Sequence, residues 1–134
     1  MIALDTNLLI YACDKSDLRR QQIALDTIAE ATEGVVLWQV ACEFIAASRK
    51  LGGQGFTPKD AWNRLTEFLG VFPLVLPTPD GLSRARSLHL THGVSFWDAL
   101  IVAACLEGGV DLLYSEDLPN QPSYESLKVI NPFA

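Results

Sequence analysis

The first twelve residues, Met1-Ile2-Ala3-Leu4-Asp5-Thr6-Asn7-Leu8-Leu9-Ile10-Tyr11-Ala12, are almost wholly apolar, yet one aspartate and two small polar residues stand in their middle. An apolar run bounded by a polar turn reads as a fully buried strand. The strand is expected over Ile2 to Leu4, with Asp5 at its C-terminal end, Thr6-Asn7 as the turn leaving it and Leu8 to Ala12 as a short helical turn. Aspartate is rarely buried unless it is paired or coordinates a metal. It also stabilises turns by accepting bonds from nearby backbone amides. On these residues alone both readings stand.

Further along, strand and helix signals alternate. Asp17 caps a helix running to about Ala31, with Leu18, Leu25, Ile28 and Ala29 at helical spacing and Gly34 as its stop. Val35-Val36-Leu37-Trp38 reads as a second buried strand. Gln39 to about Leu51 is the next helix, whose inner stripe is Val40, Ala41, Phe44, Ile45 and Ser48. Glu43 flanks that stripe instead of lying on the fully polar side. Arg49-Lys50 suit the negative end of the helix dipole. After the connector Gly52-Gly53-Gln54-Gly55, Thr57-Pro58-Lys59-Asp60 is a helix start with cap, proline and acid in their usual places. A third strand, Val71 to Leu76, contains Pro73 and therefore suits a sheet edge. Thr78-Pro79 opens a helix to about Leu90, with His89 and His92 near its end. A metal role for that pair lacks further ligands at suitable spacing. Ser95 caps a last helix with Asp98 in the acidic position of a variant capping box. Ala99 to Leu106 is apolar all round, so this helix belongs in the interior. Capping alone could account for Asp98. Val110 to Tyr114 is a fourth strand that runs straight into Ser115-Glu116-Asp117, and Leu127 to Ile130 is a fifth.

A chain of 134 residues is long enough for one compact domain with a real core and too short for two comfortable ones, so residues 1–134 are read as a single domain. No apolar run approaches the roughly 20 residues of a membrane span, and the N-terminus lacks the basic lead-in of a signal peptide. Cys13, Cys42 and Cys105 are odd in number and far apart. That suits small core residues in a reducing cytoplasm better than a disulfide scaffold or a zinc site. The net charge of −6 counts against a module that grips nucleic acid through a broad basic face. Any such contact must use a local basic patch or a bridging cation.

Alternating strands and helices imply a parallel sheet flanked by helices, a three-layer α/β/α domain. With right-handed crossovers the natural arrangement is doubly wound, strand order 3-2-1-4-5. Strands 1 and 4 are then neighbours across the switch point, where ligands bind beyond the carboxyl ends. Asp5 ends strand 1, Asp117 follows strand 4, Glu43 lies in the helix after strand 2, and Asp98 lies at the start of the helix leading towards strand 4. All four can reach one crevice. Two unit charges about 5 Å apart repel by roughly 3 kcal/mol at an effective dielectric near 20. A divalent cation relieves that repulsion, and an all-oxygen ligand set without His or Cys favours Mg²⁺ or Mn²⁺.

Asp5-Thr6-Asn7, Glu43, Ser95-Phe96-Trp97-Asp98, Tyr114-Ser115-Glu116-Asp117 and the terminal Asn131-Pro132-Phe133 together resemble the PIN domain, in particular the VapC-type toxins of bacterial toxin–antitoxin systems. The resemblance spans the whole chain in order and spacing. It implies a PIN-like fold and a Mg²⁺- or Mn²⁺-dependent endoribonuclease with RNA as substrate. It also implies a homodimer held inactive by a small antitoxin protein. By motif position, Asp5 and Asp98 would be the principal metal ligands and Glu43 and Asp117 would complete the acidic cluster. Thr6, Asn7, Ser115 and Glu116 would be supporting polar groups. The loop after Asp117 reads Leu-Pro-Asn-Gln-Pro, without the glycines that many relatives carry there. A phosphatase of the haloacid dehalogenase type would need a second acid where this chain has Asn7. A response-regulator receiver would need an aspartate after strand 3, where this chain has Pro77-Thr78-Pro79.

Overall fold

The computed structural model describes residues 1–118 and 123–134; the proline-bearing loop singled out above falls largely on residues 119–122, outside the described residues. Strand β1, Ile2–Leu4, lies at the centre of the sheet. It pairs in parallel with β2, Gly34–Leu37, on one side and with β4, Leu112–Tyr114, on the other. Ile2 stands opposite both Gly34 and Leu112, and Leu4 opposite Tyr114. Beyond β2 lies β3, Leu74–Val75, and beyond β4 lies β6, Leu127–Ile130, both parallel to their neighbours. β5, Ser123–Tyr124, closes the sheet antiparallel to β6. The full order is β3-β2-β1-β4-β6-β5.

The five expected strands therefore occupy the expected order 3-2-1-4-5, and an extra edge strand extends it. That strand belongs to a hairpin whose two-residue turn, Glu125-Ser126, has no glycine or asparagine. Glu125 takes the left-handed conformation itself (φ 54°), so the usual sequence mark of a tight hairpin is missing. β3 is shorter than the expected Val71 to Leu76. Val71 is still helical and Phe72 caps the preceding helix. Pro73 supplies only its carbonyl, accepting from Val36 N at 3.0 Å, as suits an edge strand.

Helices α1 (Thr6–Cys13), α2 (Leu18–Glu30), α3 (Trp38–Ala47) and α4 (Pro58–Val71) form one packed group, and α5 (Pro79–His92) and α6 (Phe96–Glu107) pack on each other as a second. Handedness explains the division. The path β1→β2→β3 steps across the sheet in one direction and the path β3→β4 steps back. Right-handed crossovers therefore put the two groups on opposite faces. The core runs through both layers: Leu4, Leu9, Val36, Val40, Phe44, Val102, Leu113 and Leu127 are fully buried.

Three local expectations change. Thr6-Asn7 is not a turn, because α1 begins at Thr6 directly behind β1. In α2 the buried residue is Ala24, while Leu18 and Leu25 face solvent. Cys42 is exposed on α3, whereas Cys13 and Cys105 are buried as expected; all three are free thiols. After Ala47 the chain tightens into a 3₁₀ segment, Ser48–Gln54, which absorbs most of the glycine connector.

Candidate active site

At the carboxyl edge of the sheet, β1 and β4 end side by side, with the Asp5 amide donating to the Tyr114 carbonyl at 3.0 Å. A cleft of about 430 Å³ opens there, lined by Asp5, Thr6, Asn7, Gln39, Glu43, Trp97, Asp98 and Asp117 among others. The four acids expected to converge do so, from four separate segments. This is the switch point of an open parallel sheet, and it exists because helix connections leave the strand ends on both sides of it.

Asp5 is the N-cap of α1. Its Oδ1 accepts from the Thr6 amide at 2.7 Å, and its Oδ2 accepts from Ser115 Oγ at 2.6 Å. Burial pushes its carboxyl up to about 6 against the pull of these two bonds, and the charges of Glu43 and Asp117 push the same way. The reading of Asp5 as a turn-forming aspartate is thus half right: Asp5 caps a helix, but it does so inside an acidic cleft.

Glu43, on the second turn of α3, is held at both oxygens. Thr6 Oγ1 donates to Oε2 at 2.8 Å and Gln39 Nε2 to Oε1 at 2.7 Å. Asn7 Nδ2 donates to Asp117 Oδ2, and the Asp117 amide donates to Ser115 Oγ at 3.3 Å. Desolvation raises the Asp117 carboxyl above its ordinary value, with the Glu116 and Asp98 charges adding to the rise and Lys50 opposing it. Asp98 is the third residue of α6, where its amide donates to Ser95 Oγ at 3.1 Å. In α4 the capping box is complete, with Thr57 and Asp60 each bonding the other's backbone. In α6 only the serine half forms, so capping does not occupy the Asp98 carboxylate. Ser115 and Thr6 are both buried, and each spends its hydroxyl on a carboxylate of the cleft.

Glu116 is placed differently: it accepts from Tyr11 OH at 2.6 Å, fastening the β4 loop to α1, and is not among the residues lining the cleft. The two histidines also part company. His89 Nδ1 lies 2.7 Å from the Val94 carbonyl, while the His92 ring packs against Tyr124. Two cleft residues escaped sequence reasoning. Gln39 read as a helix start, and Trp97 as part of a motif with no role of its own. Lys50, read as a dipole partner, proves close enough to act on Asp117. A glutamine one helical turn before a buried-side glutamate was the only available signal for the first.

Every carboxylate oxygen bond just described comes from a neutral donor. Among the described residues no three His, Cys, Asp or Glu side chains are placed to grip one ion together. The donor chemistry nevertheless fits a hard divalent cation: oxygen ligands only, and an Asp5 carboxyl burdened by neighbouring negative charge that a cation would offset.

An open, mostly parallel sheet with an acidic cleft beyond its central strands defines an α/β protein whose ligand site is carried on switch-point loops. Residues 2–118 match the PIN domain, and the chain belongs to that family. Its fold is shared with VapC20 of Mycobacterium tuberculosis, a sarcin–ricin-loop-cleaving toxin, at TM-score 0.71 and 20% identity, over 87% of this chain and 90% of the other. A toxin–antitoxin complex from Klebsiella pneumoniae is similar at TM-score 0.69 and 18% identity over 98% of each chain. FitAcB from Neisseria gonorrhoeae is similar at TM-score 0.72 and 18% identity over 99% of each. At such identities the likeness is one of fold. No curated protein matches the sequence.

Proposed function

We propose that this PIN-domain chain is a Mg²⁺- or Mn²⁺-dependent endoribonuclease and the toxin of a toxin–antitoxin pair. The observation that carries the reading is the convergence of Asp5, Glu43, Asp98 and Asp117 on one cleft. Like charges gathered this way oppose folding unless a ligand uses them. Asp5 and Asp98 would hold the cation, with Glu43 and Asp117 completing its surroundings. When bound, it supplies an activated water and neutralises charge developing on a phosphate. The chain's own contribution is orientation: Ser115 and Thr6 N fix Asp5, Thr6 Oγ1 and Gln39 fix Glu43, and Asn7 fixes Asp117. Supporting groups that lock carboxylates in this way commonly set metal affinity and activity.

A toxin–antitoxin complex and a sarcin–ricin-loop-cleaving toxin among proteins of the same fold support RNA as substrate and a small antitoxin as partner. No helix among the described residues is long and apolar enough to cross a membrane. Three free thiols suit the reducing cytoplasm in which such a pair would work. A homodimer would cover part of the exposed apolar surface around Trp38, Leu76 and Leu82, which line one apolar hollow. The test is cleavage of single-stranded RNA with Mg²⁺, Mn²⁺ or EDTA by wild type and Asp5→Asn. Cleavage only by wild type with a cation is the expected result; cleavage that survives EDTA or the substitution refutes it. Growth arrest on expression of wild type, relieved by Asp5→Asn, tests the toxin role separately.

A further inference from the structure

One residue in the wall of the acidic cleft is a tryptophan. Trp97 lines the same cavity as Asp5, Glu43, Asp98 and Asp117, yet the residue is 64% exposed. Scattered surface aromatics need no explanation, but this one is braced. Gln39 Nε2, which holds Glu43, also donates to the Trp97 carbonyl at 3.3 Å. The ring meets Phe96 edge to face, with centroids 5.2 Å apart, and Phe96 meets His89 in the same manner at 6.4 Å. His89 is in turn fixed on the Val94 carbonyl. The ring thus has an aromatic neighbour at its edge, while the residue is largely exposed beside the carboxylates.

A ligand that matches both features carries an anionic group for a cation held by the acids and a flat π-face for the indole. A nucleotide unit of an unpaired RNA strand has both, whereas the bases of a duplex are already stacked on both faces. Trp97 and Asp98 border the same cleft of about 430 Å³, so the stacked base belongs to the nucleotide at the reacting phosphate or its immediate neighbour. Overall charge sharpens the need. At net −6 with only 10 basic residues, the chain has little of the phosphate-neutralising grip that dominates most nucleic-acid binding, and stacking must supply more.

Resting on the nuclease reading above, we propose that Trp97 is a stacking platform for an unpaired base adjoining the scissile phosphate and makes the site selective for single-stranded RNA. Binding of a labelled single-stranded RNA oligonucleotide is measured by anisotropy with Ca²⁺ as the cation, and of the same sequence as a duplex. Cleavage kinetics are measured with Mn²⁺. Trp97→Ala should weaken single-strand binding roughly five- to a hundredfold, the range of aromatic–base stacking, and raise KM more than it lowers kcat. Trp97→Phe should recover most of the loss. Trp62→Ala, an exposed tryptophan outside the cleft, should change nothing. An abasic nucleotide moved along the oligonucleotide should, at one position, erase the difference between wild type and Trp97→Ala. Equal binding by wild type and Trp97→Ala, or an equal loss on duplex and single strand, overturns the platform. If wild type still cleaves in that case, the nuclease reading stands alone, and the wall is left to a protein partner. If wild type neither binds nor cleaves, both readings fall.

Discussion

Replacing Asp5 with asparagine should stabilise this protein at neutral pH while abolishing cleavage. Burial and the neighbouring charges hold the Asp5 carboxyl at about 6, against an ordinary value of about 3.9. The unfolded chain therefore gives up this proton at lower pH than the native chain does. Below pH 4 both states are protonated and the residue is neutral in its effect. As pH rises from about 4 to 6 the unfolded state ionises first, and the native state loses stability until its own carboxyl ionises. Above 6 the penalty is constant, on the order of 3 kcal/mol. Asparagine removes it without losing the local bonds. Its Oδ1 can accept from the Thr6 amide as Asp5 Oδ1 does at 2.7 Å. Its Nδ2 can donate to the Ser115 hydroxyl, which now donates to Asp5 at 2.6 Å. Asparagine is also an equal N-cap. Allowing for imperfect exchange of these bonds, about 1–3 kcal/mol should be recovered at pH 7. For a chain of this size that is a rise of several degrees in Tm. Thermal melts of both proteins in EDTA between pH 4 and pH 8 measure it. The gap should open between pH 4 and 6 and stay level above. A gap that is zero at pH 7, reversed, or the same at every pH refutes the electrostatic account of Asp5.

Ser115→Ala removes a bond that lowers the Asp5 pKa; the loss of stability with rising pH should then continue beyond pH 6, and about 1–3 kcal/mol should go at neutral pH, read from the same melts. Mg²⁺ or Mn²⁺ should raise the Tm of wild type and not that of Asp5→Asn, by the equivalent of about 2.7 kcal/mol at a hundredfold excess over the dissociation constant. A shift of equal size in the variant would place the ion elsewhere. Gly34→Ala would bring a Cβ within 2.6 Å of Phe72 Cδ1 and 2.7 Å of Cε1. The β2 strand pairs with β1 at that residue, so neither side yields freely, and about 1–3 kcal/mol should be lost in urea titration; an unchanged midpoint would show that Phe72 moves aside without cost.

The alternation of apolar runs with capped amphipathic segments was enough to specify the doubly wound sheet, its central strand and the order of five strands. Those features depend on local periodicity and on handedness, both of which are written in short stretches of chain. It also marked Asp5, Glu43, Asp98 and Asp117, because an acid at the end of an apolar run or beside an apolar seam is visible without coordinates. The hairpin strand Ser123–Tyr124 was hidden, since its turn takes a left-handed glutamate in place of glycine. So were the partners of each acid. Thr6 reaching Glu43 across 37 residues, Ser115 reaching Asp5 across 110, and Gln39 joining Glu43 to Trp97 are contacts that exist only once β1, β4, α3 and α6 share one edge of the sheet. Tertiary structure likewise decided that the Asp98 carboxylate is spared from capping, that Glu116 serves Tyr11 and not the cleft, and that Cys42 is exposed. The sequence named the charges; side-chain geometry over long separations, which no local pattern encodes, determined what each one touches.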